Sequence, residues 1–116
     1  MVVFSDTARI LLFTGATDMR KGFDGLSALV SAAGENVYSG DLLVFVSRRH
    51  NRAKIVGFQK GGLVLLYKRL DRGRFKIHLP DGEGQAEIDS IQLTMLLDGI
   101  DFARLRRPEH WKLELT

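Results

Sequence analysis

Ten of the chain's 17 Lys and Arg residues lie between Arg48 and His78, where the only acid is Asp71. That segment, RRHNRAKIVGFQKGGLVLLYKRLDRGRFKIH, carries a local charge of +9, whereas the remainder, seven basic residues against thirteen acidic ones, nets −6. The segregation is more informative than the overall charge of +3. A surface lined with guanidinium and ammonium groups neutralises phosphates and releases their condensed counterions, and the planar fork of Arg matches phosphate oxygens. The candidates are Arg48, Arg49, Arg52 and Lys54 in the first half of the segment and Lys68, Arg69, Arg72, Arg74 and Lys76 in the second. Arg20 and Lys21 join them from the start of an expected helix, where backbone N–H groups favour an anion. Tyr67 and Phe58, interleaved with these cations, can stack on unpaired bases where they are exposed. The same rings suit a core, and the same cations suit a solvated face that only keeps the protein soluble.

Catalytic chemistry finds little support. The chain has no Gly-rich phosphate loop, no His-Glu-x-x-His pair and no serine elbow. Asp18, Asp24, Asp41, Asp71 and Asp89 show no spacing that singles out a carboxylate trio for two-metal phosphoryl transfer, and His50, His78 and His110 are scattered. Cysteine is absent, which removes both disulfides and thiolate metal sites. The expectation is no catalytic residue, no metal and no cofactor. A different class remains open: apolar strand edges and Trp111 in the tail would suit a module that holds a partner protein, and a basic face meets an acidic protein as readily as a nucleic acid.

The elements that must position these residues follow from the pattern. With 116 residues, 45% of them hydrophobic, the chain supports one core, so a single domain over 1–116 is expected, with an extended tail over 103–116. No run is long enough to span a bilayer and the N-terminus lacks the pattern of a signal peptide, so no membrane partner is expected. Together with the missing cysteines this fits the cytoplasm. Ala8 to Phe13 reads as a strand closed by Thr14-Gly15. A helix is expected from about Asp18 to Ala33, capped by Thr17 or Asp18 and stopped by Gly34, with Phe23, Leu26, Leu29, Val30 and Ala33 on its apolar face. Gly22 and Gly25 each cost such a helix about 1 kcal/mol against Ala, and Arg20-Lys21 opposes the dipole of its first turn. Such local departures often mark function.

Leu42 to Val46 is a continuous apolar run suited to a strand covered on both faces. A basic tip at Arg49 to Arg52, a strand from Lys54 to Gln59, a turn at Gly61-Gly62 and a strand from Leu63 to Leu70 follow. After a turn at Asp71-Arg72-Gly73, residues Arg74 to Leu79 alternate between cationic and apolar side chains, as a half-buried strand does. Pro80 to Gln85 reads as a loop and Ile88 to Leu97 as a helix, with Asp89 and Gln92 at capping-box spacing and Gly99 as terminator. The tail adds a basic knot at Arg104, Arg106 and Arg107. The expected architecture is α+β: an antiparallel β-meander of four to five short strands with two helices packed on one face, with a small partly closed β-barrel as the alternative.

Four motifs together carry a family resemblance: TDMRKGFDGL at Thr17 to Leu26, Ser39-Gly40 leading into LLVFVSRRHNRAKI, YKRLDRGRF at Tyr67 to Phe75, and LTMLLDGID at Leu93 to Asp101. Over about Arg9 to Phe102 the chain resembles the TnpB accessory proteins encoded beside the transposase in insertion sequences of the sixty-six group, which are distinct from the RNA-guided nucleases that share the name. The matching residues are Asp18 to Gly25 in the first motif, and Lys68, Arg69, Leu70, Gly73, Arg74 and Phe75 in the third. The resemblance implies a role in transposition in a bacterial cytoplasm, beside a DDE-type transposase and a second small element-encoded protein, and it carries no catalytic residue across. One departure is Phe58-Gln59-Lys60-Gly61-Gly62, where relatives tend to place an aromatic-acidic pair before the glycine turn; the loss of negative charge speaks against a metal there. The expected function is therefore a non-catalytic DNA-binding accessory factor of transposition that grips phosphates of the element ends through its basic hairpins. The alternative is a protein scaffold that assembles or activates the transposase without contacting DNA itself.

Overall fold

The computed structural model describes residues 8–77 and 84–99. Seven elements follow in chain order: β1 (Ile10–Ala16), α1 (Phe23–Ala32), β2 (Leu42–Val46), β3 (Arg52–Gln59), β4 (Gly62–Arg69), β5 (Gln85–Ile88) and α2 (Ser90–Leu97). The strands form one open sheet in the order β4-β3-β2-β1-β5. The α+β class holds, the sheet is mostly antiparallel, and it does not close into a barrel.

Two features differ from a pure meander with helices on one side. β1 and β2 pair in parallel, with Ile10 beside Leu42 and Leu12 beside Val44, so α1 is the crossover that joins them. The helices also pack on opposite faces. Ile10, Leu12, Leu42, Val44 and Ile55 point to the side covered by Leu96 of α2, while Leu11, Leu43, Phe45 and Val56 point to the side covered by Leu26 and Val30 of α1. The reason lies in the sequence of the central strands: every residue of β2 is buried, and a strand that is apolar on both faces requires cover on both.

α1 starts later than its apolar periodicity suggests. Gly22 is its N-cap, with extended backbone and no side-chain cap, so residues 17–22 form a loop that leads into the helix. Arg20 and Lys21 therefore precede the helix, and the expected conflict with its dipole does not arise. Gly34, at φ +79°, ends the helix as the C′ position requires.

The β3–β4 turn is Lys60-Gly61, with φ of +47° and +83°, one residue earlier than Gly61-Gly62; two positive φ values match the twist of a tight hairpin. No strand covers Arg74 to Ile77. The alternation of burial expected there is present, with Phe75 buried between exposed Arg74 and Lys76. Gly73 (φ +77°) turns the chain away from the ladder, however, and Phe75 N–H donates to the His50 carbonyl (2.5 Å) at the β2–β3 loop. His78 and Leu79, the end of that expected strand, lie outside the described residues, as do most of the Pro80 to Gln85 loop, the Arg104 knot, Trp111 and the tail over 103–116.

β5 stands where a loop and a helix start were expected. Its four residues pair antiparallel with β1, Ile88 opposite Ile10, and are too few to outweigh the loop and helix signals on either side. α2 then begins at Ser90 with the expected capping box: Gln92 N–H donates to Asp89 Oδ1 (2.7 Å) and Asp89 N–H to Gln92 Oε1 (2.9 Å). Asp89→Ala is expected to lower stability by about 1 kcal/mol, read as a reduced urea midpoint at unchanged m-value.

Candidate nucleic-acid interface

The topology brings several of the basic segments to one end of the sheet. Ala16 at the end of β1 sits beside Val46 at the end of β2, Val46 faces Ala53, and Arg52 at the start of β3 faces Arg69 at the end of β4. The 17–22 loop, the 48–51 turn and the 70–77 segment all leave from this end, carrying Arg20 and Lys21, Arg48 and Arg49, and Arg72, Arg74 and Lys76. Backbone bonds tie the second and third of these together, since Leu70 N–H donates to the Asn51 carbonyl (2.8 Å) and Phe75 N–H to that of His50. Segments far apart in sequence thus leave the sheet at the same end. At the other end Arg9 is matched by Glu35 (2.7 Å) and Asp41 (2.8 Å).

A cleft of about 380 Å³ opens between the 17–22 loop and the β2–β3 turn. Arg20 enters it from the first and Arg48, Arg49 and Arg52 from the second. The turn is held by its own polar groups. Ser47, buried, accepts from Arg52 N–H (3.1 Å) through its hydroxyl, which lies 3.2 Å from Asn51 Oδ1, and His50 N–H donates to the Ser47 carbonyl (2.9 Å). His50 takes the left-handed conformation (φ +57°) that places it at the tip.

The cleft contains one anion of its own. Asp18 Oδ2 lies 2.7 Å from Arg20 Nη2, and Asp18 Oδ1 also accepts from Arg20 N–H (2.9 Å). The Arg20 side chain, with help from that N–H, holds the Asp18 carboxyl down at about 2 against the smaller opposing effect of desolvation. Arg20 remains 92% exposed, so this pair contributes little to stability.

Register decides which face each cation takes. The pairs Arg52–Arg69 and Lys54–Tyr67 lie on the α1 side with Val56, while Lys68, opposite Ala53, lies on the α2 side, its Nζ 3.9 Å from Asp98 Oδ1. Among the described residues neither Arg52 nor Arg69 has an acidic partner, so two like charges face each other across the ladder, an arrangement that costs stability unless an anion lies between them.

Lys54, expected among the phosphate contacts, is instead turned inward. It is 7% exposed, and its Nζ donates to the Met19 and Lys21 carbonyls (2.7 Å each) while lying 5.1 Å from the centre of the Tyr67 ring. The cation is thus a strut that fixes the 17–22 loop on the sheet. A sequence signal for this existed: in β3 Lys54 shares its parity with the apolar Val56 and Phe58. Of the three aromatic residues between Arg48 and His78, Phe75 is core, Phe58 is partly buried against Tyr38 (ring centres 5.5 Å apart), and Tyr67 is half-exposed. Sequence reasoning missed Asp18 as the partner of Arg20 and Ser47 with Asn51 as the frame of the turn; Asp18, two residues from Arg20, carried the only legible hint.

Burial, and next the charge of Arg74, holds the His50 imidazole below its ordinary pKa. A base lowered in this way favours the native state while neutral, so the free protein loses stability as pH falls below about 6.5 towards the lowered value. A phosphate held at the 48–51 turn would act in the opposite sense, and affinity for it would then rise over the same window. His50→Gln should flatten both slopes, as thermal melts and binding titrations between about pH 5.5 and 7.5 would read.

Among the described residues no group of three or more His, Asp or Glu side chains is placed to hold a metal ion, and no helix is long and apolar enough to cross a membrane. A family model described as IS66 Orf2 like protein matches residues 8–107, which include the 17–22 loop, the β2–β3 turn and the whole sheet. The chain belongs to this family. The IS66 Orf2-like assignment agrees with the motif resemblance and points to an accessory role in the transposition of an insertion sequence. Two relatives from Sinorhizobium fredii (strain NBRC 101917 / NGR234) are similar along most of their length. "Uncharacterized protein y4hO" is 39% identical over 115 residues, covering 97% of this chain and 96% of the relative, and "Uncharacterized protein y4jC" is 34% identical over 100 residues, covering 85% of each. No solved structure matches the chain.

Proposed function

We propose that this IS66 Orf2-like protein is a non-catalytic DNA-binding accessory factor of transposition, which grips phosphates in the arginine cleft. The observation that carries the reading is the convergence of Arg20, from the loop before α1, with Arg48, Arg49 and Arg52 of the β2–β3 turn. Arg69, on the same face as Arg52, continues the track; Lys21, Arg72, Arg74 and Lys76 lie in segments that leave from the same end of the sheet, and Lys68 stands on the far side of it. Four guanidinium groups facing one carboxylate leave an excess of positive charge that phosphates neutralise. In this reading the whole chain works as one domain in the cytoplasm, beside the element-encoded transposase and a second small accessory protein, with DNA at the element ends as its ligand and without a cofactor.

Fluorescence anisotropy with labelled duplex element ends across a salt series tests it. Log affinity should fall linearly with log salt, with a slope of about −0.9 for each phosphate held. Absence of binding at low salt, or binding with no salt slope, would overturn it.

One observation favours a second reading, a scaffold for the transposase. Among the described residues β4 pairs only with β3, and its outer edge carries exposed Leu66 and Tyr67, a feature suited to strand addition by another protein. That reading expects co-purification with the transposase that survives high salt and nuclease, and it fails if no such complex forms.

A further inference from the structure

We propose that the site prefers unpaired DNA, with Tyr67 as the platform on which a base stacks while Arg52 and Arg69 hold the adjoining phosphates. This rests on the DNA-binding reading above and names its substrate class. Cross-strand pairing places Arg52, Lys54, Tyr67 and Arg69 on the α1 side of the sheet. Tyr67 and Arg69 are two residues apart on one strand, about 7 Å along its length, which suits a base and a neighbouring phosphate.

Core packing does not account for this ring. On the same face of β4, Leu63 and Leu65 pack against the α1-side core, yet Tyr67 is 49% exposed at the open edge of the sheet. It is also held in place. The ammonium of Lys54 lies 5.1 Å from the ring centre and is itself fixed by the Met19 and Lys21 carbonyls. A ring ordered before binding loses little freedom when a base settles on it. Cations beside an open aromatic side chain on a sheet face form the combination that binds single strands, because every unpaired base offers a π-face. Bases inside a duplex are stacked on one another and offer none. The arginine cleft grips either form of DNA; only the Tyr67 side of the surface can tell them apart.

The test uses the full chain and three labelled probes of equal length in the anisotropy assay: a mixed-sequence single strand, its duplex, and a strand of abasic sites with the same number of phosphates. The wild-type protein is expected to bind the single strand about tenfold more tightly than the abasic strand and more tightly than the duplex. Tyr67→Phe should keep the advantage over the abasic strand and Tyr67→Leu should remove it. Equal wild-type affinity for normal and abasic strands, a preference for duplex, or an unchanged ratio in Tyr67→Leu would overturn the proposal. The abasic comparison needs no variant, so it stands even where a substitution disturbs folding. Salt-dependent binding of all probes without a Tyr67 effect would sink the stacking proposal and leave the phosphate cleft intact; no binding of any probe would sink both.

Discussion

Arg52→Glu is expected to weaken DNA binding by about tenfold to a hundredfold while leaving the protein as stable as before or slightly more so. In the proposed arrangement, loss of one phosphate contact reduces the salt slope by about 1, and a carboxylate in the cleft would repel the phosphates left to the remaining arginines. The stability side follows from register. Arg52 faces Arg69 directly across the β3–β4 ladder, so reversing one charge replaces a repulsive pair with an attractive one worth roughly 0.2–1 kcal/mol. Binding and stability therefore move in opposite directions, which separates lost contact from misfolding. Lys60→Glu makes the same change in net charge at the β3–β4 turn, away from the cleft, and should alter affinity by no more than about twofold once ions screen distant charges. Equal losses in the two variants would show that only overall charge matters.

Lys54→Met should have the largest effect on stability among the basic residues. Methionine keeps the apolar stem but leaves the Met19 and Lys21 carbonyls without their donor. A hydrogen bond to a charged group contributes about 1.5–3 kcal/mol; relief from burying a cation offsets part of the loss, and a net cost of about 2–3 kcal/mol is expected. Against a typical stability of about 5–15 kcal/mol, that would show plainly in a urea titration. Hydrogen exchange in the 17–22 loop should rise with it, because the strut, beside the Thr17 N–H bond to the Val46 carbonyl, ties that loop to the sheet. DNA affinity should also fall severalfold, although Lys54 touches no phosphate in the proposed arrangement, since Arg20 would no longer be held over the cleft. Arg is a poor replacement: its planar fork cannot direct one compact donor group at two carbonyls.

The parts of the fold that were legible in the sequence were those whose local pattern and tertiary role agree. LLVFV marked a strand apolar on both faces and became the fully buried β2, and the Asp89–Gln92 spacing marked the box that starts α2. Where tertiary context decided, local pattern misled. Arg74 to Ile77 alternates like a strand but has no ladder to join, because Gly73 turns the chain away. QAEI is too short to announce itself and is a strand only because β1 has a free edge. The basic end of the molecule was legible as charge but not as a place: that Arg20 would meet Arg48, Arg49 and Arg52 depends on β1 and β2 running parallel, a fact of topology that no residue pattern states. Lys54 shows the same limit from the other side, since composition counts a cation and only packing reveals its two carbonyl partners.

The pairing of β1 with β5 has a consequence for how the protein is made. Ile10 and Ile88 are neighbours in the finished sheet, so until the ribosome has released the final described strand, β1 has one side unclaimed, with Ile10, Leu11 and Leu12, all buried in the native state, along it. Strands paired over such a long stretch of chain come together late, and an apolar edge left waiting is a template for another molecule's strand. Chains cut short before Gln85 should therefore aggregate, and the order of synthesis sets the interval during which every new copy is at risk.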